Sequence, residues 1–213
     1  LHWGLNRFTS MEKKSKTMKP PIYGLVLAGG KSTRMGQDKG LLEYHGIPQA
    51  DYLYSLLVTL CEKTFMSLRA DQGHTDTTKF RAILDEDIYR GPFNGILSAH
   101  KCYPEAAWLV LACDLPLIDK ISLKQLIDAR DIEAVATAMA TQKSRLPEPL
   151  VAVWEPKGLN KAIDYLKTAE SSCPRKFLIR HNSKIVIPEK DQVLLNANNP
   201  EEYKEALTII QSI

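Results

Sequence analysis

"LVLAGGKSTRMGQDKG", residues 25–40, ends an apolar run in two glycines and follows them with Lys31, Arg34 and Lys39 against the single acid Asp38. A near-continuous apolar run reads as a strand buried on both faces. Here "IYGLVLA" (22–28) is that strand, and Gly29 and Gly30 open the loop beyond it. Glycines in that place let backbone N–H groups approach a ligand, and oriented amides with Lys and Arg make an anion site. Two standard phosphate loops are excluded. Gly24 and Gly29 have Walker A spacing, but Gly30 stands where its lysine must follow, and no G-x-G-x-x-G occurs. A plain surface turn accounts poorly for three cations facing so few acids. Such a set suits a triphosphate of about three to four negative charges.

Beyond this loop, short apolar runs alternate with amphipathic ones. Strands are expected at 64–69, 80–85, 107–114, 132–140, 149–155 and 183–188. Helices are expected at 48–61, from the turn at 91–92 to about 102, and at 122–129, 156–168, 174–181 and 199–211. Asp119 or Ser122 is the expected cap of the third helix. Asn199 caps the last, with Pro200 at its first position and acids in its first turn. The alternation predicts an α/β fold, a Rossmann-like three-layer domain on a mostly parallel (mixed) central sheet. Ligands of such sheets bind beyond the carboxyl ends of the strands. That rule selects the 28–30 loop and Asp114, which ends "WLVLACD" (108–114). A carboxylate there is costly unless paired, and as a hard oxygen donor it suits Mg²⁺ shared with phosphate oxygens. A cap or turn residue before Leu115 and Pro116 is the competing reading.

The chain has 213 residues, 44% hydrophobic and 25% charged, the profile of one globular domain at 21–213. No apolar run reaches a membrane-spanning length, and residues 1–20 lack the apolar core of a secretory signal. Those residues are expected to be a flexible tail, linker or vector remnant. The net charge of +3 belongs to them: five cations stand there against Glu12, leaving the remainder slightly negative. A nucleic-acid-binding face is therefore not expected. Cys61, Cys102, Cys113 and Cys173 contain no C-x-x-C pair and read as reduced thiols of a cytoplasmic protein. The five histidines are scattered and receive no role.

"LAGGKSTRMGQDKGLL" (27–42) resembles the signature loop of the molybdenum cofactor guanylyltransferases, the MobA-type branch of the nucleotidyltransferase family. Asp38 before Lys39 stands where the sugar-nucleotide branch has proline. "ACDLPLI" (112–118), "ILDEDIYRGPFNGI" (83–96) and "LLNANNPEEY" (194–203) are similar to further family segments in the family's order, so the resemblance covers about residues 22–211. It implies GMP transfer from GTP to molybdopterin with release of pyrophosphate and Mg²⁺ as cofactor. Leu27, Ala28, Gly29 and Gly30 would hold the nucleoside. Lys31, Arg34 and Lys39 would hold the triphosphate, with Lys39, Arg34 and Asp114 catalytic and Asp114 on the metal.

Guanine presents two adjacent donors, N1–H and N2–H₂, which one carboxylate accepts together. Asp85 has the place for this, and Asp87 competes with it; Phe93 and Asn94 depart from the family's small apolar pair. Asn198 is expected near metal or phosphates. Asn196 and Arg145 are expected on the acceptor side, with Lys143 and Arg175 as alternatives to Arg145. The resemblance implies neither nucleic acid nor membrane as partner and adds molybdoenzyme maturation proteins. It leaves oligomeric state open, a monomer being compatible. A cytidylyl donor and a silent nucleotide-binding domain of a larger protein are the alternatives.

Overall fold

The computed structural model describes residues 19–28, 39–69 and 79–212. Seven strands form one sheet: β1 (Ile22–Leu27), β2 (Lys63–Leu68), β3 (Ala82–Leu84), β4 (Ala107–Ala112), β5 (Ala136–Met139), β6 (Glu148–Trp154) and β7 (Ser183–Val186). Their spatial order is β3-β2-β1-β4-β6-β5-β7. β1, β2, β3 and β4 are parallel, whereas β6 is antiparallel to both β4 and β5, and β7 is parallel to β5. The expected mostly parallel mixed sheet is therefore present, with β6 as the reversed strand.

Helices α1 (Gln49–Val58), α2 (Phe93–Cys102), α3 (Lys120–Asp128), α4 (Pro156–Leu166) and α5 (Pro174–Arg180) cover the two faces, and α6 (Pro200–Gln211) closes the described chain. One face packs Leu25, Trp108 and Trp154 against Phe93 of α2, Leu159 of α4 and Phe177 of α5. The other packs Val26, Leu109 and Val153 against Leu53 and Leu57 of α1 and Leu123 and Leu126 of α3. Alternation along β1 sends Leu25 to the first face and Val26 to the second, as strand geometry requires. Gly24 belongs to this packing and not to a phosphate loop. A Cβ on it would lie 2.9 Å from Leu57 Cβ.

The caps follow the sequence. Asp119 accepts from the Ser122 N–H at 2.7 Å, and Asn199 from the Glu202 N–H at 2.9 Å. The strand expected over 132–140 is shorter. Asp131 turns the chain first, accepting from the Glu133 N–H at 2.9 Å, and pairing begins only at Ala136. Likewise only Ala82–Leu84 of 80–85 pairs, leaving Asp85 just past the strand end.

A buried ion pair holds the far end of the sheet. Arg130 grips Glu155 through Nε at 2.6 Å and Nη2 at 2.8 Å, and its Nη1 donates to the Pro20 carbonyl at 2.9 Å. Their side chains are 8% and 1% exposed. Removing one partner strands a charge in the interior, which costs about 3–5 kcal/mol. Glu155→Ala is expected to lose about that much in urea unfolding, and a loss below about 1 kcal/mol would show the pair to be energetically idle.

Candidate functional site

The carboxyl ends of β1, β2, β3 and β4 share one edge of the sheet, and chain reversal in β6 brings its first residue, Glu148, to the same edge. Three of the expected residues meet there. Lys39, at the start of a 3₁₀ turn (Lys39–Leu41), donates from Nζ to Asn198 Oδ1 at 2.7 Å. The same ammonium lies 3.7 Å from Asp114 Oδ2, with side chains 21% and 24% exposed. Burial pushes the Asp114 carboxyl above the ordinary carboxylate value, and the Lys39 cation opposes that shift. A cation, a carboxylate and a carboxamide oxygen thus converge from positions far apart in sequence.

Backbone contacts hold the asparagine turn and Asp114 in place. The Ala197 N–H donates to the Asp114 carbonyl at 2.9 Å, which fastens the asparagine turn to the end of β4. Glu202 accepts from the Asn198 N–H at 2.6 Å while Asn199 caps the Glu202 N–H, a reciprocal capping arrangement that orients Asn198. Behind Lys39, Gln49 is fully buried and donates to the Leu115 carbonyl at 3.1 Å. His45 sits 2.9 Å from the Pro116 carbonyl and stacks on Tyr52. His45 and Gln49 therefore tie the loop after β4 to the segment that carries Lys39. Tyr44 and Ala197 pack with Tyr203 in a small cluster that seats α6 beneath the site. The contacts of Ala197 with Asp114, Gln49 with Leu115 and His45 with Pro116 could not be found by motif, because each joins residues far apart in the chain.

Asp85 occupies the end of β3. Ser67, at the end of β2, donates to Asp85 Oδ1 at 2.6 Å, and the Asp85 N–H donates to the Leu68 carbonyl at 2.8 Å. The Asn94 side chain also favours the ionised carboxylate. Burial nevertheless raises the Asp85 carboxyl, against the lowering effects of Ser67, Arg69 and Asn94. Its competitor Asp87 is exposed, in a left-handed turn with φ 55°. The side chains thus single out Asp85 as the gripped carboxylate. Leu27 and Ala28 complete the strand edge, Ala28 donating to the Ser67 carbonyl at 3.2 Å. Gly29, Gly30, Lys31 and Arg34 lie outside the described residues.

On the other side, Arg145 and Lys143 are exposed, Arg145 in a left-handed conformation with φ 51°. Arg175 is engaged instead, reaching the Pro147 carbonyl at 3.0 Å through Nε and the Glu148 carboxylate through Nη2. Glu148 is raised by burial, held down by Arg175 and pushed up further by Asp114. Arg175 is therefore the alternative connected to the Asp114 end of the sheet. Asn196 is half-buried in the same turn as Asn198.

Residues 24–185 match the family described as the MobA-like NTP transferase domain. The chain belongs to that family. This MobA-like chain is a nucleotidyltransferase by that membership. It is 35% identical over 89% of its length to a molybdenum cofactor biosynthesis bifunctional protein from Synechocystis, of which it spans 55%. It is 32% identical over 88% of its length to a molybdenum cofactor guanylyltransferase from Pseudomonas fluorescens, covering 94% of that protein. Its fold is that of molybdopterin-guanine dinucleotide biosynthesis protein A from Archaeoglobus fulgidus. That match has a TM-score of 0.73 and 20% identity, and covers 90% of this chain and all of the other.

Among the described residues of this MobA-like transferase, no group of three His, Cys, Asp or Glu side chains could hold a metal. Asp114 alone with the Asn198 carbonyl oxygen fits a Mg²⁺ site of the kind completed by substrate phosphates, which asks for one or two carboxylates and no dedicated cage. No helix among the described residues is long and apolar enough to cross a membrane.

Proposed function

We propose that the chain transfers GMP from GTP to molybdopterin, forming the guanine dinucleotide cofactor and releasing pyrophosphate. The observation that carries this reading is the meeting of Lys39, Asp114 and Asn198 at the sheet edge that also holds Asp85. The names of the Synechocystis and Pseudomonas relatives support the same substrates.

In this reading a terminal phosphate oxygen of molybdopterin attacks the α-phosphorus of GTP. The bond to the bridging oxygen breaks in line, and pyrophosphate carries away the electron pair. The nucleophile is already an anion, so the protein need not supply a strong base. Positioning and charge neutralisation then dominate. The backbone of Leu27, Ala28, Gly29 and Gly30 receives the nucleoside, and Lys31, Arg34 and Lys39 receive the phosphates. Lys39 ends on the α-phosphate, where negative charge changes hands. Asp114 with Asn198 would hold Mg²⁺, which when bound supplies further charge neutralisation at the phosphates. Asn196 and Arg145 face the acceptor. Residues 21–213 act as one transferase domain with 1–20 outside it, in the cytoplasm, and the product passes to molybdoenzyme maturation proteins.

Pyrophosphate release measured with GTP, CTP and ATP, each with and without molybdopterin, tests the proposal. Release is expected with GTP and molybdopterin together. Release with CTP in its place would identify a cytidylyltransferase, and nucleotide binding without release would identify a silent domain.

A further inference from the structure

We propose that Ser67 and Asn94 are positioning residues that fix the Asp85 carboxylate to receive the two adjacent N–H donors of guanine, and so set the preference for GTP. The inference rests on the reading of GTP as donor and of Asp85 as the group that meets its base.

An ionised carboxylate offers about four acceptor sites and no donor. Ser67 takes one at 2.6 Å. Asn94 favours the ionised form of the same group, and because an ionised carboxylate only accepts, its amide –NH₂ is the end that can serve it. Its other end fits this, since Asn94 Oδ1 accepts from the Tyr89 N–H at 3.2 Å. At least two acceptor sites remain, enough for the two adjacent donors of the guanine edge. Ser67 is 1% exposed and Asn94 8% exposed, whereas Asp85 keeps part of its surface open. The carboxylate is thus gripped from the protein side and presented on the ligand side.

The grip is built into the fold at three levels. Ser67 sits in the β1–β2 register opposite Leu27, the last residue of β1 before the nucleotide loop. Asn94 sits in the first turn of α2, and its own carbonyl accepts from Ser98 Oγ at 2.8 Å. Gly95 lets α2 approach. A Cβ there would collide with Ser67 Oγ and lie 2.8 Å from Leu27 Cδ2 and 3.3 Å from Asp85 Oδ1. Any other residue at 95 would drive the helix off the strand ends and carry Asn94 away. Arg69 also favours the ionised carboxylate, more than Asp87 opposes it, but a charge acts through distance and does not fix the carboxylate's orientation as the short Ser67 bond does.

Inosine triphosphate keeps N1–H and lacks the 2-amino group, so it separates one hydrogen bond from two. The test is equilibrium binding of GTP and ITP to the full chain, with kcat measured at saturating GTP. The proteins compared are the wild type, Ser67→Ala, Asn94→Ala and Asp85→Ala. The wild type is expected to favour GTP over ITP by roughly tenfold, the size of one well-placed hydrogen bond to a charged group. In Ser67→Ala and Asn94→Ala that ratio is expected to fall to about threefold or less, with kcat at saturating GTP unchanged. Ser67→Ala removes a single oxygen, so it keeps the test valid if Asn94→Ala disturbs α2. An unchanged ratio, or equal losses for both nucleotides, overturns the positioning role. If Asp85→Ala flattens the ratio while the other two variants keep it, positioning fails and the guanine reading stands. A wild type indifferent to ITP overturns both.

Discussion

Asp114→Ala is expected to lower kcat for pyrophosphate release by about three orders of magnitude and leave the protein folded. The carboxylate ends a strand whose residues Ala107–Ala112 are all buried, and it shares the Lys39 ammonium with Asn198. Its removal deletes the anion of the cluster and none of the packing. Burial works against the ionised carboxyl in the resting protein. Removing it relieves that penalty, so thermal unfolding should occur no lower than in the wild type. Steady-state release and a melting curve on one preparation check both halves. Release at the wild-type rate would remove Asp114 from the chemistry, and a lowered melting temperature would recast it as structural.

Lys39→Ala is expected to cost about a hundredfold or more in kcat, with a much smaller change in KM for GTP. The ammonium is held at 2.7 Å by Asn198 and lies 3.7 Å from Asp114. Neither contact buries it completely, so an incoming phosphate can take it over. A cation that serves the transition state acts where charge on the α-phosphate is redistributed. One that serves only binding would move KM alone. Loss confined to KM would therefore place Lys39 with the ground-state phosphate contacts. Lys39→Arg is a demanding companion variant, because the broad guanidinium cannot reproduce a point donor at Asn198 Oδ1.

Much of this molecule is written in local patterns. The apolar runs at β1 and β4 were legible because a strand buried on both faces needs apolar residues at every position. Asn199, Pro200 and Glu202 announced α6 because capping chemistry is confined to neighbouring residues. Asp114 could be named because it ends a strand whose type was readable, whereas Lys39, Asp85 and Asn198 were named by the resemblance of their segments to family signatures. The strand expected over 132–140 failed in its first half for the same local reason, since Asp131 satisfies its own turn before pairing can start.

By itself, then, the sequence determined the layered α/β class, the strand ends that face a ligand and the residue types placed there. Tertiary structure alone decided how those ends combine. The reversal of β6 brings Glu148 to the edge that holds Asp114 and sets Arg175 against it. Ser67 of β2 holds the Asp85 carboxylate while Asp87 stays exposed, a difference set by the packing of β2 against β3. The 2.7 Å contact between Lys39 and Asn198 spans 159 residues of chain. Periodicity and capping act over a few residues and leave a trace in composition. A hydrogen bond between elements depends on packing and register, which no local stretch of chain encodes.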